Sequence, residues 1–122
     1  MDAEQFIDAI RQVVYQSAID GTLQTLTNPS GRDYRQKVAD RTAWARSLDE
    51  ESQRHLRSAI TIAAHSAVFG FLCVLDGVRQ IENEPGRGTL ELTHKSSRGE
   101  VLLNDPTGDF LHDILNGMIE IV

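Results

Sequence analysis

One cysteine, Cys73, stands among the 122 residues, so no disulfide framework can hold the chain together and no oxidising compartment is called for. It lies inside an apolar run, where a lone cysteine ordinarily behaves as a small, buried, reduced hydrophobe. Aromatic residues make up 6% of the chain, and no aromatic-rich strand, zinc-ligand spacing or helix-turn-helix pattern accompanies its basic residues. Nucleic-acid binding is therefore not expected. GxSxG, Walker, GxGxxG, HExxH and CxxC patterns are all missing, so an enzyme reading has no positive support and no cofactor is implied. Gly86-Arg87-Gly88 has a fragment of a phosphate loop but lacks the following Lys-Ser/Thr, and reads as a turn. The opening residues MDAEQF carry acids where a secretory signal carries bases, with no apolar h-region behind them, which points to a cytoplasmic protein.

What the sequence does contain is an ordinary globular balance, 40% hydrophobic and 25% charged, in a chain long enough to fold as one compact domain. Net charge is -6 and unevenly spread. From Asp76 to Val122 nine acids face four bases, whereas Arg32 to Arg46 holds five bases and two acids. Such asymmetry disfavours a phosphate backbone as partner and suits a basic protein surface.

Periodicity predicts mainly helix. Asp2 caps a first helix whose apolar stripe is Phe6, Ile10, Val13, Val14 and Ala18, with Gly21 as its stop. Asn28-Pro29-Ser30-Gly31 reads as a loop. Asp33 to about Ser47 follows as a surface helix with Tyr34, Val38, Ala45 and Leu48 on its thin stripe, Trp44 on the shoulder and Arg41 in the middle. Ser47-Leu48-Asp49-Glu50 has capping-box spacing, and a long helix is expected to start there. Its seam runs Leu56, Ile60, Ala63, Ala67, Gly70, Val74, Val78 and Ile81, and its other side is also apolar from Ala59 to Leu75. That pattern predicts a central helix covered nearly all round. The 17-residue run is at the lower edge for a bilayer and is interrupted by Thr61, His65 and Ser66, so a core helix is the preferred reading.

Beyond Gly77 and Pro85-Gly86 the period changes to two. Thr89–Thr93 and Glu100–Asn104 are expected to pair as a hairpin around Lys95–Gly99, burying Leu90, Leu92, Val101 and Leu103 and leaving Leu102 more exposed. Asp105-Pro106 suits the start, there or slightly later, of a last helix carrying Phe110, Leu111, Ile114, Leu115 and Met118. Asn116-Gly117 would end it and leave Met118–Val122 as an extended tail. The expected class is α+β: three or four helices around a long central one, a carboxyl-terminal antiparallel hairpin and a final short helix.

Candidate functional residues fall into two sets. The acids Glu82, Glu84, Glu91, Asp105, Asp109 and Asp113 would dock a basic partner, as in a small interaction protein of the inhibitor or immunity type. His65, Arg41, Tyr34 and Trp44 would instead line a ligand pocket. For His65 the simpler account is a satisfied hydrogen bond to a neighbour, and for Arg41 a stem lying on apolar surface. Asp109 and His112 share a chelating spacing if one helix carries both, but no metal site is assigned. Small residues on the seam, together with open strand edges, also allow a homodimer, including a purely structural one.

Overall fold

The computed structural model describes residues 1–31 and 35–119. Helix runs without interruption through α1 (Ala3–Ile10), a π-helix (Arg11–Gln16) and α2 (Ser17–Thr27), and is followed by α3 (Gln36–Ser47) and α4 (Glu50–Leu75). The antiparallel strands β1 (Thr93–Ser96) and β2 (Gly99–Leu102) come next, and α5 (Leu111–Met118) closes the described chain. The architecture is mainly helical α+β, with one long helix, a carboxyl-terminal hairpin and a short last helix, as the periodicity implies.

Asp2 and Gln5 cap α1 reciprocally: the Gln5 amide donates to Asp2 Oδ1 (2.8 Å) and the Asp2 amide to Gln5 Oε1 (3.0 Å). The stripe expected downstream of Ile10 is redirected. On an ideal α-helix Ile7 and Tyr15 would lie about 80° apart, but the wider π turn, with its i→i+5 bonding, winds the chain back and puts them on one side. Ile7, Tyr15 and Ile19 are therefore the buried residues, while Val13 is 71% exposed. Gly21 does not stop the helix, which continues to Thr27 because α2 packs on both α3 and α4 and so outweighs the ~1 kcal/mol penalty of a mid-helix glycine.

Asp49, not Ser47, caps α4, accepting from the Ser52 amide at 2.8 Å. Ser47 is the last residue of α3 and donates back to the Trp44 carbonyl. At the other end Gly77, at φ +77°, forms a Schellman turn: its amide bonds Val74 O (3.1 Å) and the Val78 amide bonds Cys73 O (3.0 Å).

The hairpin is tighter than expected and closer to residue 97. Ser97-Arg98 make a two-residue turn between Ser96 and Gly99, and Thr93 pairs with Leu102. The register continues through the Leu103 amide on Leu92 O (2.8 Å). Beyond that pair Asn104 takes the place of a strand residue: its Oδ1 accepts from the Leu92 amide (2.8 Å), and its Nδ2 donates to Leu90 O (2.8 Å) and to Leu75 O (2.7 Å). One buried amide thus ties the hairpin base to the end of α4. Leu103 is buried, whereas Leu90 and Val101 are exposed and Leu102 is half-buried, the reverse of the expected order for those last two.

Ile7, Leu72, Leu111 and Leu115 form the core, with Phe6, Val68, Phe69, Leu75, Ile114 and Met118 around them. It lies where α1, the carboxyl half of α4 and α5 meet. Asp105 does not start α5; it folds a local turn, accepting from the Thr107 amide (2.9 Å) and hydroxyl (2.7 Å), and the helix begins six residues later. Gly117 does not end α5, which reaches Met118. The expected extended tail falls largely on residues outside those described.

α4 is not covered all round. Its buried residues are Gly70, Leu72 and Cys73, and Ile62 and Phe71 are 54% and 64% exposed. The cause is topological: α2 packs on α4, and so does α5, but among the described residues no element covers the side that carries Ala59, Ile62, Ala63, Ser66, Ala67 and Phe71.

Candidate functional site

Asp76, the residue that closes α4, makes a buried three-fold polar contact with the start of α5. Its carboxylate accepts from the backbone amides of Leu111 (3.0 Å) and His112 (2.9 Å) and from His112 Nδ1 (2.6 Å), with its side chain only 2% exposed. The end of one helix therefore caps the start of another, where free amides and the macrodipole favour an anion. In the sequence Asp76 only opens the acidic carboxyl-terminal stretch, since a cap supplied from 35 residues away leaves no local signature.

A file of rings extends from this cap. Phe110 stacks on His112 (centroids 5.3 Å apart), Phe69 meets His112 edge-on (5.4 Å), and His65 stacks on Phe69 (5.4 Å). His65 Nε2 donates to Asn116 Oδ1 on α5 (3.0 Å). One face of α5 is thereby latched to α4 at two points a turn apart, at Asp76 and at His65. Asp109 precedes α5 rather than lying one turn from His112 on it, and His112 Nδ1 is committed to Asp76, so the two do not form the chelating pair that the spacing allowed. Among the described residues no group of three or more ligating side chains could hold a metal ion.

Arg41 and Trp44 are both exposed on α3, and Tyr34 lies outside the described residues. His65 sits at the α4–α5 contact, and none of His65, Arg41 and Trp44 lines any of three clefts found elsewhere. The first, about 450 Å³, lies between the end of α4 and the 77–91 connection; Glu82, Glu91, Arg79 and Arg87 share its walls. The second brings together Asp105, Asp109 and Asp113 with Asp2 and Glu4 from the chain's other end, and no basic residue is on its walls. The six candidate acids thus divide. Three meet in an acidic cleft, two line one of mixed charge, and Glu84 lines neither. Asp2 and Glu4 were not among the sequence candidates, because only the packing of α1 on α5 brings them there.

A further apolar surface is the outward side of α4, where Ile62 and Phe71 are exposed. Between Arg57 and Asp76 this helix carries no charged residue, and its 18-residue apolar window is long and hydrophobic enough to cross a bilayer by length and composition, with 17% of it buried. Burial of Cys73 pushes its thiol up from the usual cysteine value, which disfavours the nucleophilic thiolate. No family model matches the chain, nor does any curated protein or solved structure.

Proposed function

We propose that this chain is a small cytoplasmic interaction subunit that works by docking the bare side of α4 against another protein. The observation that carries the reading is the exposure of Ile62 and Phe71 at the two edges of a helix face that presents Ala59, Ala63, Ser66 and Ala67 between them, with no charged residue of α4 itself on that face and the Arg79 guanidinium lying over Gly70 at its carboxyl end. Continuous apolar surface of this kind marks a contact site. Small side chains favour another helix as the occupant, because they let backbones approach closely. A bilayer fits less well. Arg57 of α4 pairs with Asp20 of α2 (3.1 Å), and α4 ends in buried Asp76, so lipid around α4 would also have to accommodate its charged companions.

A photoreactive benzoylphenylalanine in place of Phe71 tests the reading in cells. A discrete protein adduct is expected there and none from the same group at Lys95, on the hairpin; adducts to lipid alone, or none, would overturn it.

The acidic cleft supports a second contact, with a basic partner of the kind an inhibitor or immunity protein meets. The specific observation is the convergence of Asp2, Glu4, Asp105, Asp109 and Asp113 without a base on the walls. Reversing Asp109 and Asp113 to lysine should abolish capture of that partner and leave the Phe71 adduct unchanged. Retained capture would remove this second reading.

A further inference from the structure

Resting on the docking role of α4, we infer that the partner presents an apolar helix bearing one carboxylate, an Asp or Glu that receives the guanidinium of Arg79. Ala59, Ala63, Ala67 and Gly70 follow at steps of four, four and three, and so share one stripe of the outward side of α4. The last of them is covered. Arg79 lies beyond the Schellman turn, its amide bonded to Cys73 O (3.1 Å), and its guanidinium reaches back over Gly70. A Cβ at Gly70 would meet Nη1 at 2.3 Å, so a side chain there would push the guanidinium away. Gly70 is buried beneath it, while Arg79 itself stays exposed. The apolar stripe therefore ends in a positive charge laid flat on the helix.

No carboxylate of the chain answers that charge. Among the described residues Arg79 makes no ion pair. Asp76, the acid closest in sequence, is spent on the start of α5, and Glu82 accepts the Gly88 amide at 3.0 Å. Glu91 shares a cleft with Arg79 without pairing to it.

A wholly apolar partner laid along the stripe would take the guanidinium out of water and leave it unpaired, the costly way to bury a charge. A carboxylate at that place would instead form a two-pronged, charge-assisted pair, which the planar guanidinium is shaped to make. Ala59 and Gly70 are about 16 Å apart along the axis, so a helix covering the alanines has its acid towards one end of the contact. The ion pair thereby sets the register of docking, while the apolar stripe supplies the area.

Benzoylphenylalanine at Phe71 identifies the partner in cells, and titration calorimetry then measures its affinity for the purified full chain. Arg79→Met should weaken binding about thirty-fold or more, Arg79→Glu further still, and Arg79→Lys least, because it keeps the charge and loses only the fork. Helical circular dichroism should be unchanged in all three, since Arg79 is exposed. Reversing one Asp or Glu in the adducted segment of the partner to Arg should restore binding to the Arg79→Glu variant alone. Affinity indifferent to Arg79→Glu, or a loss that no such reversal repairs, would overturn the carboxylate and leave the docking role standing. Adducts joining two copies through their α4 helices would overturn it as well, since α4 carries no acid between Arg57 and Asp76. Adducts to lipid alone, or none, would remove the docking role and the carboxylate together.

Discussion

Replacing Asp76 by alanine should loosen α5 from the rest of the molecule. The side chain is 2% exposed, and its removal strands the amides of Leu111 and His112 and the His112 Nδ1–H at a buried helix start. Loss of an N-cap alone costs about 1 kcal/mol, and each unsatisfied buried donor costs about 1–3 kcal/mol where water cannot reach it. His112 is 13% exposed, so water relieves part of that cost, and the sum settles near the ~3–5 kcal/mol typical of breaking a buried, charge-assisted pair. At roughly 4 °C per kcal/mol for a chain of this size, the melting temperature should fall by about 12–20 °C. Asp76→Asn keeps one acceptor but loses the charge and turns an amide towards donors, so it should recover less than half of the loss. Urea titration followed by circular dichroism measures the total, and hydrogen exchange at Leu111 and His112 locates it. A loss below about 1 kcal/mol, or unchanged exchange at those two amides, would show that packing at Leu111 and Leu115 holds α5 without the cap.

Three further outcomes are expected. Asn104→Leu leaves Leu75 O, Leu90 O and the Leu92 amide without their partner; it should cost about 2–4 kcal/mol and speed exchange at Leu92, and a neutral result in urea would deny Asn104 its tying role. Thr42 Oγ1 is buried on α3 with no hydrogen-bond partner among the described residues, so Thr42→Val should stabilise by about 1 kcal/mol, and destabilisation would reveal an acceptor. Asp8, beside Arg11, and Asp49 and Asp105, which accept the Ser52 and Thr107 amides, are held below the ordinary carboxylate value. Because the folded state binds these protons less readily, their contribution is complete above the unfolded pKa of about 3.9 and is lost as pH falls through the folded values. Urea midpoints should therefore drop from pH 5 to pH 3, and the triple replacement of these aspartates by asparagine should flatten that drop; an unchanged slope would place the acid sensitivity elsewhere.

Much of the fold was legible because its local signals agree with its packing. Asp2, Gly77 and the change to period two mark real boundaries, but the seam expected along α4 is not its core side: Ala63, Ala67, Val78 and Ile81 are exposed, and Val68, Phe69, Leu72 and Leu75 enter the core instead, because a helix apolar nearly all round gives no periodic signal to choose its buried face. The failures have identifiable causes. A π turn carries no composition signal, so the stripe through Val13, Val14 and Ala18 was read on the wrong period, and Tyr15 was missed from the buried side. Two candidate caps two residues apart, Ser47 and Asp49, cannot be ranked locally, because the choice depends on where α3 ends. The hairpin slid because Asn104, polar and near the end of an apolar run, is a tertiary knot rather than a strand terminus.

The candidate site was less legible for a deeper reason. Hydropathy measures how much of a helix must leave water, not what will cover it. The run from Ala59 to Leu75 was expected to be wrapped by its own chain, yet 122 residues arranged as α1, α2 and α5 can line only one side of a helix of 26 residues. Each of those elements is already committed: α1 and α5 close the core, and α2 divides its packing between α3 and α4. The apolar residues left over on α4 therefore form the strongest functional signal, because burying a Phe or Ile side chain is worth about 1.5–3 kcal/mol and a chain that leaves two of them outside forfeits that stabilisation unless another molecule supplies it. His65 illustrates the converse. It looked functional as a lone imidazole in an apolar run, but its ring is stacked on Phe69 and its Nε2 is bonded to Asn116, so its chemistry is already spent on holding α5.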